Sequence, residues 1–538
     1  MNDAPVTAPA RGRTAIPALV RSRPRAALVA AIALLLLVLA NDLLRNKADR
    51  LWAHPDQAIP VEVLKSMHIH GDLDTDWARA ALPDVFRACR YNFSGYMLAT
   101  YVAVTVASPQ AFAADDALAA AIIRFSRWCA ALTIALAFAL AARNGGLVAG
   151  LAAALAVALL PQFYEDAHYP RPESLAALLS TGCLALATLR PSTASRRWAL
   201  VALIAAIAGF LVSIKFTLAP VALFAAAPML RLRGEHRPAA MLADWLRFAP
   251  VAAGAGVVGF AAGAPYVLAD PGAYFEGIAA LRAQYGGMHP PHSRAETGVA
   301  MQGGLIAHFY LAVLGLPAML LYLLGQADRR LAPAQWLHAL VLAVTVAGFL
   351  LQHVVFERNF SPLMPAFAIV MVQGIAFAAR QVAGPAPGIA RRVAASLVAV
   401  VLLVASLWRA APITHALSTY FSATRMPAEQ ARRNAAVTAV IDTHGASERR
   451  DLAYPDAFSL HYPEPTAHCV LYVAHLFGDD WSIRFLRQMP PYLRVVAVDP
   501  SRFPSLPAST PQVYHSPSLV MFVQPSSCPG DRGRPTPP

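Results

Sequence analysis

Long apolar runs joined by short polar stretches make up most of the chain between residues 26 and 410. The first run is 26–40. Others follow at roughly 119–142, 146–163, 173–189, 198–214, 216–230, 248–268, 304–325, 335–355, 361–379 and 393–410. Most have about the 20-residue length that a helix needs to cross a bilayer. Ahead of the first run, Met1 to Arg25 is rich in Pro, Ala and Arg and reads as a disordered cytoplasmic segment. It brings Arg11, Arg13, Arg21, Arg23 and Arg25 to the edge of the run, the pattern of a signal anchor or a cleaved signal peptide. Val38-Leu39-Ala40 is a passable cleavage site. Either reading puts residue 42 outside the cytoplasm, and a bundle of helices favours the anchor.

One more run, 91–107 (YNFSGYMLATYVAVTVA), decides the topology. Counted as a span, it reverses every later loop and places Arg190, Arg196, Arg197, Arg231, Arg233, Arg237, Arg329 and Arg330 outside. Laid along the outer interface, it leaves all of them inside with Arg143, Arg380, Arg391 and Arg392, as the cytoplasmic bias of Lys and Arg requires. Tyr91, Tyr96 and Tyr101 suit an interfacial helix. The expected fold is an all-α polytopic membrane bundle of about eleven transmembrane helices, with juxtamembrane helices in the first outer loop, 42–118. The bundle takes up 26–410. Odd parity keeps the N-terminus cytoplasmic and puts the C-terminal segment outside.

Composition agrees with lipid as the solvent. The chain is 57% hydrophobic and 14% charged, with a mean hydropathy of +0.47; a soluble chain carries about 25% charged residues. The net charge of +13 does not point to nucleic acid, because its Arg residues sit between apolar runs and form no basic face with interleaved aromatics. The five cysteines show no metal-ligand spacing, and Cys129 and Cys183 lie in apolar runs. From 411 to 538 the chain gains Pro, Asp and His. Strand-like pieces at Cys469–Ala474 and Leu493–Val498 predict a small extracytoplasmic α/β domain. An outside location would permit a Cys469–Cys528 disulfide, which spacing alone does not establish.

Candidate chemistry gathers on the outer side. His54-Pro55-Asp56-Gln57 follows the first run, and a carboxylate there suits a general base or a divalent-cation ligand, or is simply solvated. Glu165-Asp166-Ala167-His168-Tyr169-Pro170-Arg171-Pro172-Glu173 packs more charge into one turn than a turn needs. A bland reading explains only Glu173, as an anion at a helix N-terminus. Lys215 lies between apolar stretches; a lysine at that depth faces protein or water, neutralises a phosphate, or snorkels to the interface. Arg358 in Phe356-Glu357-Arg358-Asn359-Phe360 has the same readings. Asp72, Asp74 and Asp76 imitate a calcium loop, but Trp77 and Pro83 stand where Gly and Glu are needed. His68, His70, His289 and His292 read first as solvated loop histidines.

Taken together, these stretches resemble the GT-C glycosyltransferases, most closely the family 39-like branch of protein O-mannosyltransferases and aminoarabinose transferases. HPDQ resembles that branch's HPDE or DE element after the first span. HIHGDLDTDW and YNFSGYMLATY resemble the rest of its first loop, HYPRPES its second-loop element, and SIKFT its TK element. APYVLAD with GGMHP resembles its fourth outer loop, and FERNFSPLMP its "RY…P…P" element. The resemblance spans roughly 26–410. Two departures stand out: Gln57 replaces the second acid of the first-loop pair, and Glu173 replaces an aspartate.

The resemblance implies a membrane enzyme that moves a sugar from a polyprenyl-phosphate donor to an extracytoplasmic lipid, glycan or protein acceptor, at a bacterial inner membrane. It implies Asp56 as the base and His168, Glu173, Lys215, Arg358 and His289 as substrate-binding residues. It also allows a divalent metal cation at Asp56 and Glu173. Gln57 keeps open a non-catalytic GT-C-like assembly protein. A transporter is the other alternative, disfavoured because the acids lie in loops on one face rather than at mid-membrane.

Overall fold

A computed structural model of the protein describes residues 58–82, 84–230, 238–286, 299–328, 333–352, 355–384 and 388–422, together with four strands within 473–523. The first apolar run, Asp56 and His289 lie outside the described residues. Ala58–His70 (α1) and Ser94–Ala107 (α2) precede the long Asp115–Gly145 (α3). Then come Leu147–Ala158 (α4), the short Pro161–Asp166 (α5), Glu173–Ala187 (α6) and Ala194–Ile214 (α7). A 3-10 segment, Phe216–Ala226, leads on towards Pro238–Gly263 (α8) and Pro271–Gly286 (α9). Val299–His308 (α10) runs through a π-helical turn, Phe309–Leu314, into Leu316–Gly325 (α11). Ala334–Leu350 (α12), Met364–Ala383 (α13), Ile389–Leu407 (α14) and Ala410–Ser422 (α15) complete the helices.

Among the described residues, five helices are each long and apolar enough to cross a membrane: Asp115–Gly145, Ala194–Ile214, Asp244–Gly263, Ser361–Ala383 and Ile389–Leu407. The bent pair Gln302–Leu311 and Leu316–Gly325 brings the number to six. The chain is an integral membrane protein. Other apolar runs of the described residues form shorter helices, Leu147–Ala158, Glu173–Ala187, Phe216–Leu230 and Ala334–Leu350 among them. Proline accounts for part of this: Pro161 opens a new helix after α4, and Pro220 lies in the 3-10 segment. In the span that includes α13, 78% of the apolar window is buried, against 11% in α14, so α13 is a central helix and α14 a peripheral one.

Side-chain ties set the direction of the helices. Arg197 and Asp244, 3.5 Å apart, join the starts of α7 and α8, while Gly263 near the end of α8 lies against Ser213 near the end of α7. The two helices therefore run parallel. They cross so closely that a Cβ added at Gly209 would lie 1.9 Å from the Gly256 carbonyl oxygen, and one at Gly259 would lie 1.8 Å from that of Ala206. Only glycine permits this approach. Arg380 of α13 donates to Asp328 beyond α11 over 2.7 Å, which ties the ends of these two helices together.

The disputed 91–107 run forms α2, whose 14 residues extend roughly 21 Å at the helical rise, short of a hydrocarbon core of about 30 Å. Gly95 at its start abuts Ser213 near the end of α7. Farther along, the Tyr101 ring meets Phe112, 5.7 Å away, just ahead of the start of α3. Lys65 of α1 pairs with Asp115 at that same start over 3.0 Å. Since α3 and α4 form a hairpin and α6 and α7 another, the start of α3 and the end of α7 share one end of the bundle. Thus α2 lies across that end rather than through it, as the Arg distribution requires.

In the C-terminal segment the strands Val473–Leu476 (β1), Val495–Val498 (β2), Gln512–Ser516 (β3) and Leu519–Val523 (β4) form one sheet in the order β1-β2-β4-β3. β1 and β2 pair in parallel, whereas β2–β4 and β3–β4 are antiparallel. Both strand-like pieces read from the sequence overlap this sheet, at β1 and β2.

Candidate active site

Lys215 and Glu173 are 42 positions apart in sequence and meet where two helices end on the same side. Lys215 caps α7 in an extended conformation, with φ −157° and ψ 106°, which turns the chain out of the helix. Glu173 is the first residue of α6, set there by Pro170-Arg171-Pro172, since proline disfavours the helical region for the residue before it. Lys215 Nζ donates to Glu173 Oε1 over 3.0 Å, with side chains 10% and 4% exposed. Taken singly, each residue could be read as a snorkelling lysine or a helix-end acid. Together they form a buried ion pair.

The pair opens onto a cleft of about 840 Å³, a volume that includes the solvent at its mouth. Ile59 and Pro60 of α1 line it, with Asn92, Phe93 and Tyr96 at the start of α2. Opposite these stand Arg171, Thr217, Phe349, Gln352 and Arg358. Phe93 has a left-handed backbone, φ 57°, which is rare for a bulky side chain and occurs here at the wall of the cleft. The Arg358 guanidinium stacks 4.8 Å over the Phe356 ring. Three cationic side chains, Arg171, Lys215 and Arg358, thus face one carboxylate among the described residues of the lining. All three act on the charge of Glu173.

Behind this wall lies Asp166, fully buried at the end of α5. Its Oδ1 accepts from Gln162 Nε2 at 3.0 Å and from Arg171 at 3.5 Å. Burial, reinforced by the nearby Glu173 charge and only partly offset by Arg171, pushes the Asp166 carboxyl up to about 7. Arg171 also stacks 4.5 Å over the Tyr169 ring, which fixes its plane.

Of the expected site residues, Glu173, Lys215 and Arg358 come together at the cleft. His168 is buried in the adjoining turn, with Nδ1 2.8 Å from the Tyr164 carbonyl oxygen, and is not among the lining residues. Asp56 precedes the lining residue Ile59 by three positions. The Asp72, Asp74 and Asp76 run is held by arginines: Arg79 bonds Asp72 and Asp74, and Arg90 bonds Asp76. Sequence reading did not single out Arg171 as a site residue. A signal was present, since Arg171 belongs to the 165–173 stretch that carries more charge than a turn needs.

Asp56, one of the two expected metal ligands, lies outside the described residues. Glu173 engages an ammonium through one oxygen and Asp166 a guanidinium through one oxygen, and among the described residues no group of three or more His, Cys, Asp and Glu side chains converges. What the arrangement offers is an anion site: fixed cations at the wall of a cleft, at the end of a membrane bundle.

No protein-family model matches the chain, and no curated protein matches it. Among solved structures it is similar to ArnT from Cupriavidus metallidurans bound to undecaprenyl phosphate, with 15% identity, 94% of this chain and 99% of that one covered, and a TM-score of 0.49. It is also similar to the oligosaccharyltransferase AglB from Archaeoglobus fulgidus in complex with an inhibitory peptide and a dolichol-phosphate. That match has 12% identity, covers 89% of this chain and 70% of the other, and has a TM-score of 0.45.

Proposed function

We propose that the chain is a membrane glycosyltransferase that moves a sugar from a polyprenyl-phosphate donor to an extracytoplasmic acceptor. The observation that carries this reading is the convergence of Lys215, Arg171 and Arg358 on one cleft at the end of the bundle. A lipid-linked donor presents its phosphate at that depth. Its polyprenyl tail stays among the apolar helices, and its sugar projects towards water. The ordered series of outer-loop motifs supports the same reading.

The transfer is inverting. Asp56 takes the proton of the acceptor hydroxyl, and the acceptor oxygen attacks the anomeric carbon. The bond to the donor phosphate breaks from the opposite face, and the phosphate leaves with the bonding electrons. Lys215, Arg171 and Arg358 stabilise the charge that develops on it; preorganised cations of this kind often supply the largest share of catalysis. Glu173 stands beside the leaving group. Arg171 is held by Asp166, which aims it at the same point. The Arg clusters support an orientation with the N-terminus cytoplasmic and the cleft and 411–538 segment outside a bacterial inner membrane. In that position the segment is suited to selecting the acceptor.

Deletion of the gene in its native host tests the function. The expected result is accumulation of a polyprenyl-phosphate sugar and faster migration of one envelope glycan on a gel, both reversed by the intact gene. An unchanged pool of lipid-linked sugars together with unchanged glycans would count against it.

A further inference from the structure

A phosphate entering the cleft finds its main cation already engaged. Lys215 donates to Glu173 Oε1, yet Glu173 Oε2 has no hydrogen-bond partner among the described residues, although the side chain is only 4% exposed. Buried polar groups are nearly always paired, and a carboxylate bound through one oxygen alone is held less firmly than a fully bonded one. Thr217 Oγ1 and Arg171 Nε, on residues that line the same cleft, likewise lack partners among the described residues. The lining that holds this carboxylate therefore also holds donor capacity that no described group uses.

We propose that Glu173 is the resident counter-ion of the phosphate site, competing with the donor phosphate and the product phosphate for Lys215. The inference rests on the phosphate-site reading above and assigns that site a release mechanism. When phosphate binds, Lys215 shifts its hydrogen bond from Glu173 to a phosphate oxygen. When the sugar has been transferred, Glu173 takes Lys215 back and the polyprenyl phosphate is let go. Without such a competitor, three cations facing a product more charged than the donor diester would hold that product and stall turnover. Glu173 therefore sets a weaker affinity for phosphate in exchange for faster release.

The test uses the purified full chain in nanodiscs, with polyprenyl phosphate as the probe for binding and as an added inhibitor of transfer. Glu173→Gln keeps a hydrogen-bond acceptor for Lys215 and removes the competing charge. It is expected to bind polyprenyl phosphate about tenfold more tightly, the order expected for one nearby charge. Turnover should slow, and product inhibition should set in at a correspondingly lower concentration. Glu173→Asp keeps the charge but shortens its reach to Lys215, and is expected to bind a few-fold more tightly than the unmodified protein; it carries the test if Glu173→Gln does not fold. Unchanged or weaker binding in whichever variant folds overturns the counter-ion role and leaves the phosphate site standing, with Glu173 acting only to hold the start of α6. Absence of saturable polyprenyl phosphate binding by the unmodified protein would defeat the phosphate-site reading itself.

Discussion

Asp56→Asn is expected to lower sugar transfer by about 10²–10⁴-fold, the usual contribution of a general base, while polyprenyl-phosphate binding stays within about twofold, far less than the tenfold shift that a nearby charge produces. The residue is the only acid of its motif, because Gln57 stands at the next position, so the motif itself offers no second carboxylate to take over the proton. It lies three positions ahead of Ile59, which lines the cleft. Asn is nearly the same size as Asp, so a loss of rate with intact binding reports chemistry rather than folding. Single-turnover transfer measured beside lipid-phosphate binding checks it. Equal rates for variant and unmodified protein would remove Asp56 from the mechanism.

Lys215→Ala has the second large expected effect. It leaves Glu173 in a buried setting without its ammonium. Removing one partner of a buried pair destabilises by roughly 3–5 kcal/mol, and the open cleft reduces that figure through access to water. The variant should melt at a lower temperature and bind the donor more weakly, with a smaller change in the apparent constant for the acceptor. Adding Glu173→Gln should restore much of the thermal stability, because no uncompensated charge then remains, but not the donor binding. Thermal unfolding in detergent and donor titration separate these effects. Recovery of donor binding in the double variant would mean that Lys215 acts on the fold and not on the phosphate.

Much of this arrangement could be read from the chain itself. The apolar runs marked the helices, and the position of Arg190, Arg196 and Arg197 laid 91–107 across the bundle end, where α2 is found. Lys215 and Glu173 were each conspicuous because a charge beside an apolar run needs a reason. Their pairing was not legible, since it joins the end of one helix to the start of another across 42 positions. Phe349 and Gln352 were invisible for a different reason: apolar and amide side chains at the end of α12 look the same whether they face lipid, core or cleft. Where Pro220 or a π-helical turn interrupts an apolar run was not legible, because apolar residues alone do not show where a helix breaks. His168 drew attention as a charged-turn histidine, yet its ring is turned towards the Tyr164 carbonyl.

The most direct test of the central claim is transfer by the purified protein in nanodiscs, supplied with polyprenyl-phosphate sugars labelled in the sugar and an acceptor fraction from the deletion strain. The account predicts that label moves to the acceptor, that one polyprenyl phosphate is released for each sugar transferred, and that the configuration at the anomeric carbon is inverted. Donor that binds at the cleft but is never consumed, or a product of retained configuration, would contradict it.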